Sequence, residues 1–116
     1  MDYVDGFGVS VPQAKKDAYV RGALDAAVVF REHGATRVVE CWGDDVPPGQ
    51  LTSFPLFVQA REGETVVFSG ITWPSKAVRD AGMAAFMKDP RIAAQGEMPF
   101  DGKRLIDGGF QMVVDA

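Results

Sequence analysis

The sequence predicts an α+β fold, an antiparallel sheet with two helices on one face, its elements ordered βαββαβ. Three observations predict it. Apolar spacing switches along the chain between two-residue steps and three- to four-residue steps. Helix boundaries are marked by Gly34, by Pro74-Ser75 and by Asp89-Pro90. The length of 116 residues suits a single hydrophobic core, so residues 1–116 form one domain.

The elements follow in order. Tyr3 to Ser10 alternates, with Tyr3, Asp5, Phe7 and Val9 on one side and Val4, Gly6, Gly8 and Ser10 on the other. Pro12 suits a helix start, and helical spacing of Tyr19, Ala23, Ala26, Ala27 and Phe30 continues to His33. Gly34 then fits the left-handed position after a helix. Thr36 to Gly43 is rich in β-branched residues and forms a second strand, and Asp44 to Gln50 is a loop. Phe54 to Ala60 and Thr65 to Trp73 are apolar runs joined by a turn at 61–64. The first of them reads, with Thr36–Gly43, as part of one interrupted sheet edge. Ser75 caps a second helix that runs to Lys88 and stops at Asp89-Pro90. Arg91 to Gln95 forms a short extra turn, and Met98 to Arg104 a loop that turns at Asp101-Gly102. Leu105 to Val114 is the last strand, with Gly108-Gly109 a bulge or a point of close approach.

Bulk properties narrow the function classes. The net charge of −4 argues against a nucleic-acid partner, which needs clustered Lys and Arg; the densest basic pairs are Lys15-Lys16 and Lys103-Arg104. No stretch approaches the ~18 apolar residues of a membrane span. The opening MDYVDGFGV has no basic segment and no long apolar run, so no signal peptide is expected. Cys41 is the single cysteine, which leaves no partner for a disulfide within the chain and fits a cytoplasmic location.

Two helices cover only one face of a sheet. One alternation set is apolar: Val4, Val39, Cys41, Val66, Phe68, Phe110, Met112 and Val114, with small residues at Gly6 and Gly8 where helices would pack closely. The other set mixes Tyr3, Phe7, Val9, Val38, Trp42, Val67, Ile71, Trp73 and Val113 with Asp5, Glu40, Ser69, Asp107 and Gln111. The first set is expected under the helices. The second is expected against a second copy of the chain, because a monomer seldom exposes so aromatic a face.

Specific runs carry a resemblance. YVDGF, REHGA, VECWGDDVPPG, TSFP, VVFSGITWPS and, above all, MPFDGKRLIDGGF (Met98 to Phe110) resemble the YbaA-type family of uncharacterised bacterial proteins, within the dimeric α+β barrel superfamily. The resemblance spans nearly the whole chain. It implies a ferredoxin-like fold and a homodimer packed sheet to sheet, and it implies no activity. The superfamily also holds cofactor-independent monooxygenases, isomerases and haem-degrading proteins. The last use an Asn, a Trp and a His on the second helix. This chain has no Asn, and its one His lies at the end of the first helix, so haem degradation does not carry over.

Candidate chemistry is sparse. Asp5, Glu40 and Asp107 fall among Phe7, Trp42 and Trp73, where a carboxylate would serve as acid or base and the rings would hold a flat apolar ligand. The alternative is an interface whose polar groups are satisfied across the twofold, by Arg37 or Arg104. His33 reads either as a general base paired with Asp44 or Asp45 or as a helix-end residue favoured by the dipole. Lys103-Arg104 reads either as an anion-binding pair or as a solvent-facing turn or intersubunit salt bridge. Cys41 reads as core. One His, one Cys and scattered carboxylates lack metal-ligand spacing, and no cofactor is expected. The expectation is a homodimeric domain that binds a small apolar or aromatic molecule. The alternatives are a cofactor-independent monooxygenase- or isomerase-like enzyme and a purely structural or interaction dimer.

Overall fold

The computed structural model describes Met1–Ala116. Strand β1 spans Tyr3–Pro12, helix α1 Lys16–Glu32, β2 Arg37–Trp42, α2 Phe54–Phe57, β3 Glu64–Trp73, α3 Lys76–Lys88, α4 Pro90–Gln95 and β4 Ile106–Gln111. Short 3₁₀ turns occupy Gln13–Lys15 and Gly102–Arg104. The four strands form one antiparallel sheet in the order β2-β3-β1-β4. Together with helices α1 and α3 this is the ferredoxin-like βαββαβ arrangement.

Local chemistry explains most boundaries. Pro12 closes β1 rather than opening α1, and the 3₁₀ turn separates the two. Gly34 takes φ +113 directly beyond α1. The Ser75 hydroxyl accepts from the Val78 N–H and starts α3. Asp89 ends α3, and its side chain caps α4 through the Arg91 N–H.

One element differs from the sequence reading. Phe54 to Ala60 is no strand: residues 54–57 form α2, capped by Ser53, whose hydroxyl accepts from the Leu56 N–H. Pro55 sits in the first turn, where its missing N–H costs nothing. A short apolar run has the same composition in either state, so periodicity alone did not separate them. The connection that carries α2 crosses the sheet face opposite α1 and α3. There Val58 lies beside Gly8, and Phe54 meets Phe68 edge to face at 6.0 Å between ring centres.

The two sheet faces are also exchanged relative to the sequence reading. The mixed set lies under α1, α3 and α4. Val9, Val11, Tyr19 and Val67 form one core cluster, and Ala35, Ile71 and Trp73 a second. Phe30 of α1 stacks on Phe86 of α3 at 3.7 Å and meets Trp73 edge-on. The apolar set is the open face, where Phe68 is 51% and Phe110 61% exposed. Gly6 and Gly8 therefore do not receive the helices. The Phe110 ring lies across Gly6 and Gly108 instead. The reason is polar satisfaction: Asp5, the buried acid of the mixed set, finds its partners beneath the helices and does not need water.

Asp5 is the clearest case. Its carboxylate accepts from the Trp73 indole N–H at 2.9 Å and from the Arg79 guanidinium of α3 at 2.9–3.2 Å. Asp5→Ala leaves a buried indole donor and a guanidinium without their acceptor. Urea unfolding should show a loss of about 3 kcal/mol. A loss under about 1 kcal/mol would contradict a structural role for Asp5.

Candidate functional site

The helices do not fill the space above the sheet completely. A cavity of about 210 Å³ remains between α1, α3, α4 and the strands. Phe7 and Val9 of β1 and Ser69 and Ile71 of β3 form its floor. Tyr19, Ala23, Ala26 and Phe30 of α1 form one wall. Phe86, Ile92, Gln95, Met98, Phe100 and Leu105 close the far side, and Glu40 of β2 opens onto it from the sheet edge. The segment Met98–Leu105 belongs to the MPFDGKRLIDGGF run. Met98 is seated against Gly22 of α1, and Phe100 meets Tyr19 edge-on at 6.0 Å. Gln95 ties α4 to α1 by donating to the Gly22 carbonyl at 2.9 Å.

The cavity wall is apolar except at Gln95 and at one corner. There Tyr19 donates to Glu40 Oε1 at 2.5 Å and Ser69 donates to the same oxygen at 2.6 Å. Burial, reinforced by the bond to Glu40, pushes the Tyr19 hydroxyl above its ordinary pKa, so it remains a protonated donor at neutral pH. A carboxylate oxygen held by two hydroxyls beside aromatic walls is a fixed hydrogen-bond acceptor and a potential proton acceptor.

The predicted site residues separate into groups. Glu40 and Phe7 reach the cavity. Trp73 does not: it is fully buried and its N–H is committed to Asp5, which is itself paired with Arg79. Trp42 packs on the edge of the first core cluster with Lys16 over its ring at 5.2 Å. Asp107, opposite Phe7 in the β1–β4 ladder, is exposed at the sheet edge. His33 meets Asp89 rather than Asp44 or Asp45, with Nε2 3.0 Å from Oδ2. Hydrogen bonds from Arg91 and His33 hold the Asp89 carboxyl below the usual carboxylate range. Cys41 is on the open face and exposed, not in the core. No group of three or more His, Cys, Asp and Glu side chains is placed to hold a metal ion.

Arg104 is a structural clamp rather than a ligand arm. It bridges Glu64 by two bonds of 2.7 and 2.8 Å and also binds Asp101, the Ser10 hydroxyl and the Gln59 carbonyl. The sequence reading missed Tyr19 and Ser69 as site residues. Tyr19 carried only a helix-core signal. Ser69 was a lone hydroxyl in an apolar strand, a signal that does point to a buried partner.

A family model described as a protein of unknown function (DUF1428) matches residues 2–102. The uncharacterized protein YbaA of Escherichia coli K12 is 57% identical over 116 residues, covering 99% of both chains, and that of Shigella flexneri matches equally. The chain belongs to this family. Among solved structures, Rv0793 from Mycobacterium tuberculosis superposes with a TM-score of 0.61 at 10% identity, covering 100% of this chain and 99% of that one. A dimeric ferredoxin-like protein from an uncultured marine organism gives 0.61 at 10% identity, with full coverage of both chains. SnoaB, a cofactor-independent oxygenase from Streptomyces nogalater, gives 0.56 at 13% identity over 98% of this chain and 95% of that one. These likenesses establish the ferredoxin-like fold. The family itself brings no assigned activity, and a shared scaffold does not transfer one.

The Arg104 clamp generates a pH prediction. Arg104 lowers the Glu64 carboxyl from 4.5 to about 2 in the folded chain. The ion pair therefore stabilises fully above pH 4.5, and its contribution is lost as pH falls from there to about 2. The stability gap between the natural protein and Glu64→Gln, followed by urea unfolding, should narrow through that acid window. A gap that stays constant from pH 6 to pH 2.5 would contradict the clamp.

Proposed function

We propose that this protein is a homodimeric small-molecule-binding domain whose ligand occupies the cavity between the sheet and the helices of each subunit. One observation carries the reading: a largely apolar, partly aromatic cavity of about 210 Å³ with a polar corner at Glu40, Tyr19 and Ser69. Few polar groups on an otherwise apolar wall is the usual character of a small-molecule site. Its position differs from the sequence expectation. The pocket belongs to one subunit, under the helices, not to the space between two sheets.

The dimer is supported separately. The open face carries Phe68 and Phe110, and beyond β4 Val113 and Val114 are each 77% exposed. An apolar sheet face of this kind calls for cover, and a second copy supplies it with twofold symmetry. A solved neighbour of the same fold is described as dimeric.

A second reading has one observation in its favour. Glu40 places a carboxylate at the edge of an apolar cavity, where it would accept a proton from a bound carbon or oxygen acid, as a cofactor-independent oxygenase or isomerase requires. Under that reading Glu40→Gln loses turnover while retaining ligand binding.

Two measurements test the main reading. Two-ring arenes should raise the melting temperature of the natural protein, by an amount equivalent to ~2.7 kcal/mol at a hundredfold excess over Kd. They should leave Ala26→Leu unshifted, because the added side chain fills the cavity. An equal shift in both proteins would place the ligand elsewhere. In sedimentation, Phe110→Asp should run as a monomer at concentrations where the natural chain is dimeric; an unchanged dimer would remove the open face as the interface.

A further inference from the structure

The polar corner of the cavity is one-sided. Tyr19 and Ser69 both donate to Oε1 of Glu40, and Oε2 receives no hydrogen bond from any side chain. Gln95, the other polar residue on the wall, gives one N–H to the Gly22 carbonyl, which ties its amide toward α1. No Lys, Arg or His lines the cavity. A ligand that fills it meets a single carboxylate and no cation. Glu40 stands at the exposed sheet edge of the cavity, where a donor on the ligand gains a bond to a charged group and an anion meets a carboxylate with no counterion among the lining residues. An alkylammonium would pair with Glu40 but would shed its hydration among aliphatic and aromatic side chains. The volume of about 210 Å³ lies below the ~300–1,000 Å³ of drug-sized pockets, which suits one or two rings.

Resting on the cavity reading above, we propose that the ligand is a neutral hydroxyarene of one or two rings whose hydroxyl donates to Oε2 of Glu40, and that the site rejects arene carboxylates. The flat ring lies between the Phe7 floor and the Phe30 and Phe100 walls. Tyr19 and Ser69 are positioning residues. By saturating Oε1 they leave Oε2 as the free oxygen of the corner.

Isothermal titration calorimetry of the full chain with 2-naphthol, naphthalene and 2-naphthoate tests the assignment. The naphthol should bind about ten- to a hundredfold more tightly than naphthalene, the range expected for a hydrogen bond to a charged group. The naphthoate should not bind. In Glu40→Gln the two hydroxyls still donate to the amide carbonyl, so an NH₂ group faces the cavity. The naphthol preference should then disappear and naphthoate binding should appear. Equal binding of naphthol and naphthalene to the natural chain overturns the donor assignment while leaving the cavity reading intact. Binding of none of the three overturns both. The series on the natural chain decides the matter even where the variant fails to fold.

Discussion

The structure depends on the contact between Asp5, Trp73 and Arg79. Trp73 is the largest fully buried side chain, and its indole N–H needs an acceptor. Asp5 supplies one from the neighbouring strand, and Arg79 of α3 supplies the countercharge at 2.9 Å. The three side chains join β1, β3 and α3 at one point and decide which sheet face lies under the helices. Strand alternation then places every other residue. Ile71, Ser69 and Val67 follow Trp73 inward along β3, and Phe7 and Val9 follow Asp5 along β1. Close approach completes the joint. A Cβ on Gly82 of α3 would fall 2.4 Å from both the Trp73 ring and the His33 carbonyl, so only glycine lets α3 settle there.

The cavity follows from the same placement. Once Ser69 and Glu40 face the helices, the buried Ser69 hydroxyl donates to Glu40 Oε1, and Tyr19 of α1 donates to the same oxygen. That network fixes α1 over the sheet at one end, while the Phe30–Phe86 stack fixes it against α3 at the other. The small side chains Ala23 and Ala26 lie between the two anchors, and the space they leave is the cavity. Its far side is closed by α4 and the Met98–Leu105 segment. These are held by Gln95 on Gly22, by Asp89 on His33 and by the Arg104 clamp. His33 and Arg104, which the sequence offered as chemistry, therefore serve to hold this closing segment in place.

Much of the fold was legible in the sequence because it was written in local signals. Ser75 as a cap, Gly34 at a positive φ, the stop at Asp89-Pro90 and the short turn that became α4 each act within a few residues. The close approach predicted at Gly108-Gly109 is seen at Gly109, which packs under the Tyr3 ring and Arg79 with no room for a Cβ. The face assignment was not legible, since it depends on partners far apart in sequence. Asp5 and Arg79 are 74 positions apart, and Tyr19 and Glu40 are 21 apart. Without those pairings an alternation that mixes acids with aromatics looks like the wetter side of a sheet. The uniformly apolar set, led by Phe68 and Phe110, looks like the core. Glu40 and Phe7, singled out as a carboxylate among aromatic rings, line the cavity under the helices, whereas the sequence reading set their face against a second copy.

Membership of the YbaA family and the ferredoxin-like scaffold leave the chemistry to be argued from this chain's own side chains. What they offer is an acceptor at the edge of an apolar cavity on one face and an apolar surface only partly covered by the α2 connection on the other. Both statements stand on the orientation of the sheet. The most direct test is the Trp73 indole proton in a ¹⁵N-edited NMR experiment. The account predicts slow exchange with solvent and cross-relaxation with Phe30 ring protons and the Arg79 side chain. Fast exchange, or cross-relaxation with Phe68 or Phe110, would contradict it.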